Sequence, residues 1–240
     1  MRVYRMAELN IGVESLHERV HGRCAAYATQ AAPDFVIRIS PEDIEWERTR
    51  LARNHPGQTW AEEQLEELAV YRRMAERLPA YDTLLVHGSA VAVNGRGYLF
   101  LAPSGTGKST HARLWKTLLG DRLAYVNDDK PLLRLTPEGT MLCGTPFDGK
   151  HHLSANVAVP LQAACFLRRG TENRIRRIDG RTAFVGLLQQ VYRPRDRAAL
   201  QRTISLLQTL TERAPFYALA CTMDLEAARV AYAAMTPAKE

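Results

Sequence analysis

Residues 98–110 read Tyr98-Leu-Phe-Leu-Ala-Pro-Ser-Gly-Thr-Gly-Lys-Ser-Thr110, and this stretch decides the fold class. Tyr98 to Leu101 is short and apolar, as a buried strand is, and it runs directly into a glycine-rich turn. Beyond the turn, Leu114, Trp115, Leu118 and Leu119 mark one face of a helix, and Gly120 ends it. Strand, glycine loop and helix in that order predict an α/β protein whose loop meets phosphate. Gly105 and Gly107 remove side chains where a backbone must approach phosphate oxygens, and the N–H groups of the loop and helix start aim partial positive charge at them. In that setting Lys108 reaches the β- and γ-phosphates of a nucleoside triphosphate, and the Ser109 hydroxyl is placed to ligate Mg²⁺. Ser104, Thr106 and Thr110 complete the candidate nucleotide contacts. The first position of the usual Gly-x-x-x-x-Gly-Lys-Ser spacing is Ala102 in this chain.

Upstream of the loop, residues 83–93 read as one β-type stretch containing His87, closed by Asn94-Gly95, a pair suited to a tight hairpin turn. Further upstream, Thr59-Trp-Ala-Glu62 has the form of a capping box, and Leu65, Leu68, Tyr71, Met74 and Leu78 recur at helical spacing until Pro79. This predicts a helix near 60–77. Residues 1–58 carry only short apolar pieces, such as Phe35 to Ile39, and are assigned to a small accessory layer; the expected division is 1–80 and 81–240. Downstream, Leu123 to Val126 is a short strand that ends in Asn127-Asp128-Asp129. A carboxylate at the end of a neighbouring strand is a common partner for Mg²⁺, and two adjacent ones can divide the work, one holding metal and the other accepting a proton. Further strands are expected near 131–135, 140–143, 157–167, 173–178 and 216–221, with helices near 181–191 and 196–211 and a last one capped by Asp224.

Composition agrees with a folded protein and narrows little else. The chain has 240 residues, 46% of them apolar, enough to bury a core. It has no run of about 18 apolar residues and no apolar secretory leader after Met1, so a cytoplasmic protein away from the membrane is expected. Cys24, Cys143, Cys165 and Cys221 are far apart and read as small buried hydrophobes. The net charge of +6 admits an anionic partner without choosing among nucleotide, nucleic acid, acidic peptide and phosphorylated substrate. Much of the excess lies between Arg168 and Arg202, where Asn173 to Asp179 alternates as an edge strand does. Nucleic acid is disfavoured, because no helix-turn-helix, zinc finger or aromatic single-strand platform is evident.

Three linked pieces, His87-Gly-Ser-Ala90, Ser104 to Thr110 and Asp128-Asp129, resemble the HPr kinase/phosphorylase-like family. They resemble more distantly the ATP-dependent phosphoenolpyruvate carboxykinases that share its nucleotide-binding core. The resemblance spans roughly residues 83–167 and implies a phosphate-loop core with a mixed, strongly β sheet. It also implies that His87 lies beside the transferred phosphate, that Asp128 helps hold Mg²⁺ and that Asp129 is the base, with Lys108 counted among the catalytic groups. Thr110 stands where HPr kinases typically carry an acidic residue, and no Glu-x-Arg-Gly-Leu-Gly stretch is present. Instead Cys143-Gly-Thr-Pro-Phe-Asp-Gly-Lys-His-His-Leu153 resembles smaller HPr kinase-related proteins, some of which phosphorylate a serine of a peptide. Lys150 is a candidate contact to nucleotide or acceptor, whereas His151 and His152 read as solvated loop residues. The expectation is a Mg²⁺- and ATP-dependent kinase acting on a hydroxyl, with a serine of a peptide or small protein as the expected acceptor. A carboxykinase-like lyase and an ATP-gated binding protein remain alternatives, and a homo-oligomer is left open.

Overall fold

The computed structural model describes residues 1–236. At the N-terminus, β1 (Arg2–Met6) and β2 (Leu9–Glu14) form an antiparallel hairpin; β3 (Ala28–Thr29) pairs with β1, and β4 (Phe35–Arg38) runs parallel to β2. Leu9, Ile11 and Val13 alternate into the core along β2, the period a half-buried strand requires. The face is covered by α1 (Glu18–Arg23), α2 (Pro41–Asn54) and α3 (Glu62–Arg77). The sequence reading did not anticipate α2, although Ser40-Pro41 before Asp43 marks its start, and the Ser40 N–H donates to Asp43 Oδ2 at 3.3 Å. It is tied to α3 by Arg72, which reaches Asp43 at 2.7 Å and Glu47 at 2.8 Å in a buried cluster.

One boundary of this helix differs from expectation. The third helix begins at Glu62 instead of near residue 60, because Gln64 Oε1 accepts the Ala61 N–H at 3.2 Å and so takes the role assigned to the Thr59 box. It ends at Arg77, as expected, and Leu78–Tyr81 continues as a 3₁₀ turn, in which a proline near the start lacks only an N–H that has no partner anyway.

A second, mixed sheet of nine strands follows, giving an α/β fold. Its strands are β5 (Thr83–Leu85), β6 (Gly88–Val93), β7 (Arg96–Leu101), β8 (Leu123–Asn127), β9 (Leu132–Thr136), β10 (Gly139–Cys143), β11 (Ala158–Arg169), β12 (Arg174–Ile178) and β13 (Phe216–Cys221). The expected single stretch over 83–93 is two strands: β5 pairs with β9, whereas β6 pairs with β7 and β8. His87 falls in the break, so it is not a strand residue. The Asn94-Gly95 turn is a two-residue hairpin with both φ angles positive, joining Val93 opposite Arg96. As expected, β12 is an edge strand, paired only with β13, with Arg174, Arg176 and Arg177 exposed. All four cysteines are free, three of them buried.

Strand direction places the site. β7, β11 and β13 are mutually parallel, and β6 is antiparallel to both β7 and β8. The last residues of β7, β8, β11 and β13 and the first residue of β6 therefore lie along one edge of the sheet. Helix α4 (Lys108–Leu119) packs on this sheet through the fully buried Trp115, whose ring lies 5.0–5.4 Å from those of Tyr98, Phe100 and Tyr232. The last of these belongs to α7 (Leu225–Met235), whose N-cap is Asp224, accepting from Ala227 N. On the sheet's other face lie α5 (Gly180–Gln190) and α6 (Arg197–Arg213). One apolar cluster joins Tyr4 to Leu78 of the first layer with Leu85, Leu132, Cys143 and Phe147, so the accessory layer and the larger sheet share a core.

Candidate functional site

The glycine loop spans the gap between β7 and α4 at that edge. Gly105 and Gly107 have φ of 77° and 119°, left-handed angles that a side chain would strain, and they turn the chain sharply into the helix. Among the described residues no side chain caps α4. The N–H groups of its first turn have no intrahelical acceptor and are available to an anion. Lys108 is buried, and its ammonium folds back onto the loop, donating to Ala102 O at 2.8 Å and Pro103 O at 3.3 Å. Burial pulls its pKa down to about 8; Asp129 works against that shift and Lys130 adds to it. The lysine is thus held by neutral carbonyls alone, an arrangement that a phosphate oxygen can outcompete.

Across the cavity, the chain leaves β8 through a turn built by Asn127. This side chain has no exposure to solvent, and its two ends hold two segments together. Oδ1 accepts the N–H groups of Asp129 at 2.8 Å and Lys130 at 2.5 Å, while Nδ2 donates to Thr145 O at 3.0 Å, Thr145 Oγ1 at 3.1 Å and Phe147 O at 3.4 Å. Asp128 is buried as well and accepts the Gly149 N–H at 2.7 Å. A Cβ on Gly149 would lie 3.0 Å from Asp128 Oδ2, so a larger residue there would press on the carboxylate. Burial raises the pKa of Asp128, with Asp148 and Asp129 adding to the effect. No lysine, arginine or histidine lies within ion-pair distance of Asp128 among the described residues. Its charge is therefore short of a counterion, which a divalent cation would supply.

Asp129 is differently placed. Its Oδ1 lies 2.8 Å from Lys130 Nζ and 3.4 Å from His87 Nε2. The His87 backbone is anchored between helix and acid turn: its N–H donates to Gln190 O at 2.7 Å, and the next N–H, of Gly88, donates to Asp129 O at 3.0 Å. Burial, then the nearby Lys130 and Lys108 ammonium groups, lower the His87 pKa to about 4, so the ring is neutral near pH 7.

These groups line one cavity of about 450 Å³ together with Ser104, Ser109, Thr110, Arg113, Lys150 and His151. Of the candidate catalytic, nucleotide and metal residues named from sequence, Thr106 alone does not line it. Sequence reading passed over Asn127, Lys130, Arg113 and Gly149. Arg113 was within reach, since it stands four residues after Ser109 and thus on the same helix face. Lys130 and Asn127 flank the acid pair, but which way they point follows from the turn alone. The accessory layer supports the far wall: Arg23 of α1 binds Pro146 O at 2.9 Å and Asp148 Oδ1 at 2.8 Å, and Tyr71 of α3 meets the Phe147 ring edge-on at 5.7 Å. His152 pairs with Asp148 instead of facing the cavity. Among the described residues, no group of three or more His, Cys, Asp or Glu could hold a metal by itself. A cation here would have to share its coordination with a ligand and water, as Mg²⁺ commonly does. No helix of the described residues is long and apolar enough to cross a membrane.

A family model described as SynChlorMet cassette protein ScmC matches residues 58–226, from just before α3 to the start of α7. No curated protein matches the chain. Among solved structures, the HPr(Ser) kinase/phosphatase from Coxiella burnetii is similar at 12% identity and a TM-score of 0.29, over 52% of this chain and 94% of that one. A likeness so distant carries no functional argument.

Proposed function

The chain belongs to the family of the SynChlorMet cassette protein ScmC, and we propose that it is a Mg²⁺- and ATP-dependent kinase that transfers the γ-phosphoryl group to a hydroxyl. The observation that carries this reading is the gathering in one cavity of a glycine loop with free amides, a lysine held only by carbonyls, a buried carboxylate without a counterion and a second carboxylate beside Lys130 and His87. Phosphoryl transfer needs little covalent help from a protein; it needs positioning and charge neutralisation, and these groups offer both.

In this reading the loop amides and Lys108 bind the phosphates, and Lys108 exchanges the carbonyls of Ala102 and Pro103 for phosphate oxygens. Ser109 and Asp128 would hold Mg²⁺, which when bound neutralises phosphate charge. The acceptor oxygen attacks the γ-phosphorus, the bond from that phosphorus to the departing diphosphate breaks, and the hydroxyl proton passes to the Asp129 carboxylate. Lys130, whose Nζ lies 2.8 Å from Oδ1 of that carboxylate, keeps it oriented. His87, neutral and beside Asp129, faces the cavity where the transferring group would sit and donates or accepts a hydrogen bond there without adding charge. A serine of a peptide or small protein is the acceptor we propose, on the resemblance of residues 143–153 to peptide-directed relatives.

The test is titration calorimetry with Mg·ATP, together with mass spectrometry of serine-containing peptides incubated with the protein and ATP. Lys108→Ala is expected to abolish tight ATP binding in a folded protein. His87→Ala is expected to leave affinity within about tenfold and to lower the transfer rate by on the order of 10²-fold. Unchanged ATP affinity in folded Lys108→Ala would remove the proposal. ATP binding with no phosphorylated acceptor would turn the protein into a nucleotide-gated binder, and phosphoenolpyruvate formed from oxaloacetate would turn it into a lyase.

A further inference from the structure

The cavity just described is lined by charged, hydroxyl, histidine and glycine residues and by no aliphatic, phenyl or indole side chain among the described residues. The topology says where such a surface should be. The loop strand β7 has β6 and then β8 on one side and β11 and then β13 on the other. His87, Asp128 and Asp129 all come from the β6/β8 side. A triphosphate lying along the loop with its γ-phosphate at those groups must therefore carry its α-phosphate, ribose and base towards β11 and β13.

A second depression lies there. It shares Gly107 and Thr110 with the first cavity, so the two are continuous around the start of α4, and its walls are Leu114, Leu167, Arg168, Arg169 and Met223. Three of these are apolar, and Met223, 73% exposed, is the most exposed large apolar side chain of the described residues. Both arginines are exposed and neither has a carboxylate partner among the described residues. The Arg169 guanidinium donates to Gly105 O at 2.7 Å, which lays a planar cation against the loop. The turn that presents Met223 is fixed, because Asn173 Oδ1 accepts the Thr222 N–H at 3.0 Å and Thr222 Oγ1 bonds Asp224 at 2.6 Å.

We infer that the base and ribose of the nucleotide rest on this Leu114–Leu167–Met223 surface beside Arg168 and Arg169, at the carboxyl ends of β11 and β13. The inference rests on the nucleotide reading of the neighbouring cavity and adds to it a base site. The depression encloses only about 20 Å³, room for roughly one water, so the base lies over it as on a shelf. Recognition is then by stacking and apolar contact, and ATP and GTP are expected to bind within about threefold of each other, since every base offers a π face.

The experiment compares Mg·ATP with Mg·tripolyphosphate, which has the phosphates and lacks the nucleoside, by calorimetry on wild type, Met223→Ala and Met223→Phe. The expected result is ATP binding at least about tenfold tighter than tripolyphosphate in wild type. Met223→Ala should weaken ATP by about fivefold or more while leaving tripolyphosphate within about twofold, and Met223→Phe should restore ATP. Equal affinities for the two ligands in wild type, or a Met223→Ala protein that keeps the full gap, would overturn the base site and leave the phosphate site standing. Failure of wild type to bind either ligand would instead overturn the nucleotide reading itself.

Discussion

Asn127 is the residue on which the geometry of the acid pair depends, and replacing it should show this in both stability and rate. In Asn127→Ala the N–H groups of Asp129 and Lys130 lose their acceptor and Thr145 O loses a donor, all around a side chain wholly removed from solvent. A neutral hydrogen bond contributes about 1 kcal/mol net, and leaving its partner buried and unmatched costs about 1–3 kcal/mol, partly relieved where water can enter the space. A loss of about 2–4 kcal/mol follows, which for a chain of 240 residues lowers the melting temperature by roughly 5–15 °C. Asn127→Asp is the sharper test because it keeps the shape and both acceptor bonds. It sets a carboxylate against Thr145 O and Phe147 O, where the amide now donates. Burial and these carbonyls favour the protonated acid, so the variant's deficit should be largest at neutral pH and shrink as pH falls. Urea denaturation of the three proteins at two pH values measures this. Phosphotransfer in Asn127→Ala should fall further than ATP affinity, because the loop and Lys108 are untouched while Asp129 loses its tether. A melting temperature of Asn127→Ala within about 1 °C of wild type, or an Asn127→Asp protein as stable as wild type near pH 7, would refute the reasoning.

Three further outcomes are expected. Lys108 must be protonated to meet phosphate, and its pKa is lowered to about 8, so ATP affinity should hold below that pH and decline above it, with calorimetry in Lys108→Arg giving a flat profile; an equally steep decline in the arginine variant would contradict this. Asp128→Asn should weaken Mg²⁺-dependent nucleotide binding while Asp129→Asn spares binding and loses transfer, since only the first carboxylate lacks a counterion; equal loss of ATP affinity in both would make the pair a single metal site. The His111 ring, buried and accepting from Trp115 Nε1 at 3.0 Å, has its pKa lowered from 6.5 to about 4, so the unfolded chain takes up more protons in that window, and stability is full above about pH 6.5 and lost as pH falls toward 4. That loss is on the order of 3 kcal/mol for this ring, and His111→Gln, which can still accept from Trp115 but does not titrate, should flatten the acid limb of the denaturation profile.

Much of the candidate site was legible because its parts sit close together in the chain and obey local rules. A positive φ at Gly105 and Gly107, a helix start at Lys108 and two acids at the end of a short apolar strand are properties of neighbouring residues, and the sequence displays them directly. The hairpin at Asn94-Gly95 and the cap at Asp224 were readable for the same reason: each depends on three or four consecutive residues. The first layer was less legible. Its four-stranded sheet is made of strands of two to six residues, each too short for periodicity to separate strand from loop.

What only the tertiary structure decided is how distant segments meet. The stretch over 83–93 is mostly apolar on both sides of His87, and nothing local tells that β5 leaves to pair with β9 while β6 pairs with β7; that split is set by the partner of β5 some fifty residues away, and it puts His87 in a break facing Asp129 instead of within a strand. Lys130 and Asn127 are ordinary in sequence and become important because Thr145 and Phe147 arrive from another loop to receive the amide, an arrangement held in turn by Arg23 and Tyr71 of the accessory layer. Local chemistry is written in short runs of residues because backbone angles, caps and turns cost free energy only over neighbouring peptide units. Strand pairing and buried hydrogen bonds join groups far apart in the chain, and their partners are selected by the packing of the whole, so they appear only once the chain has folded.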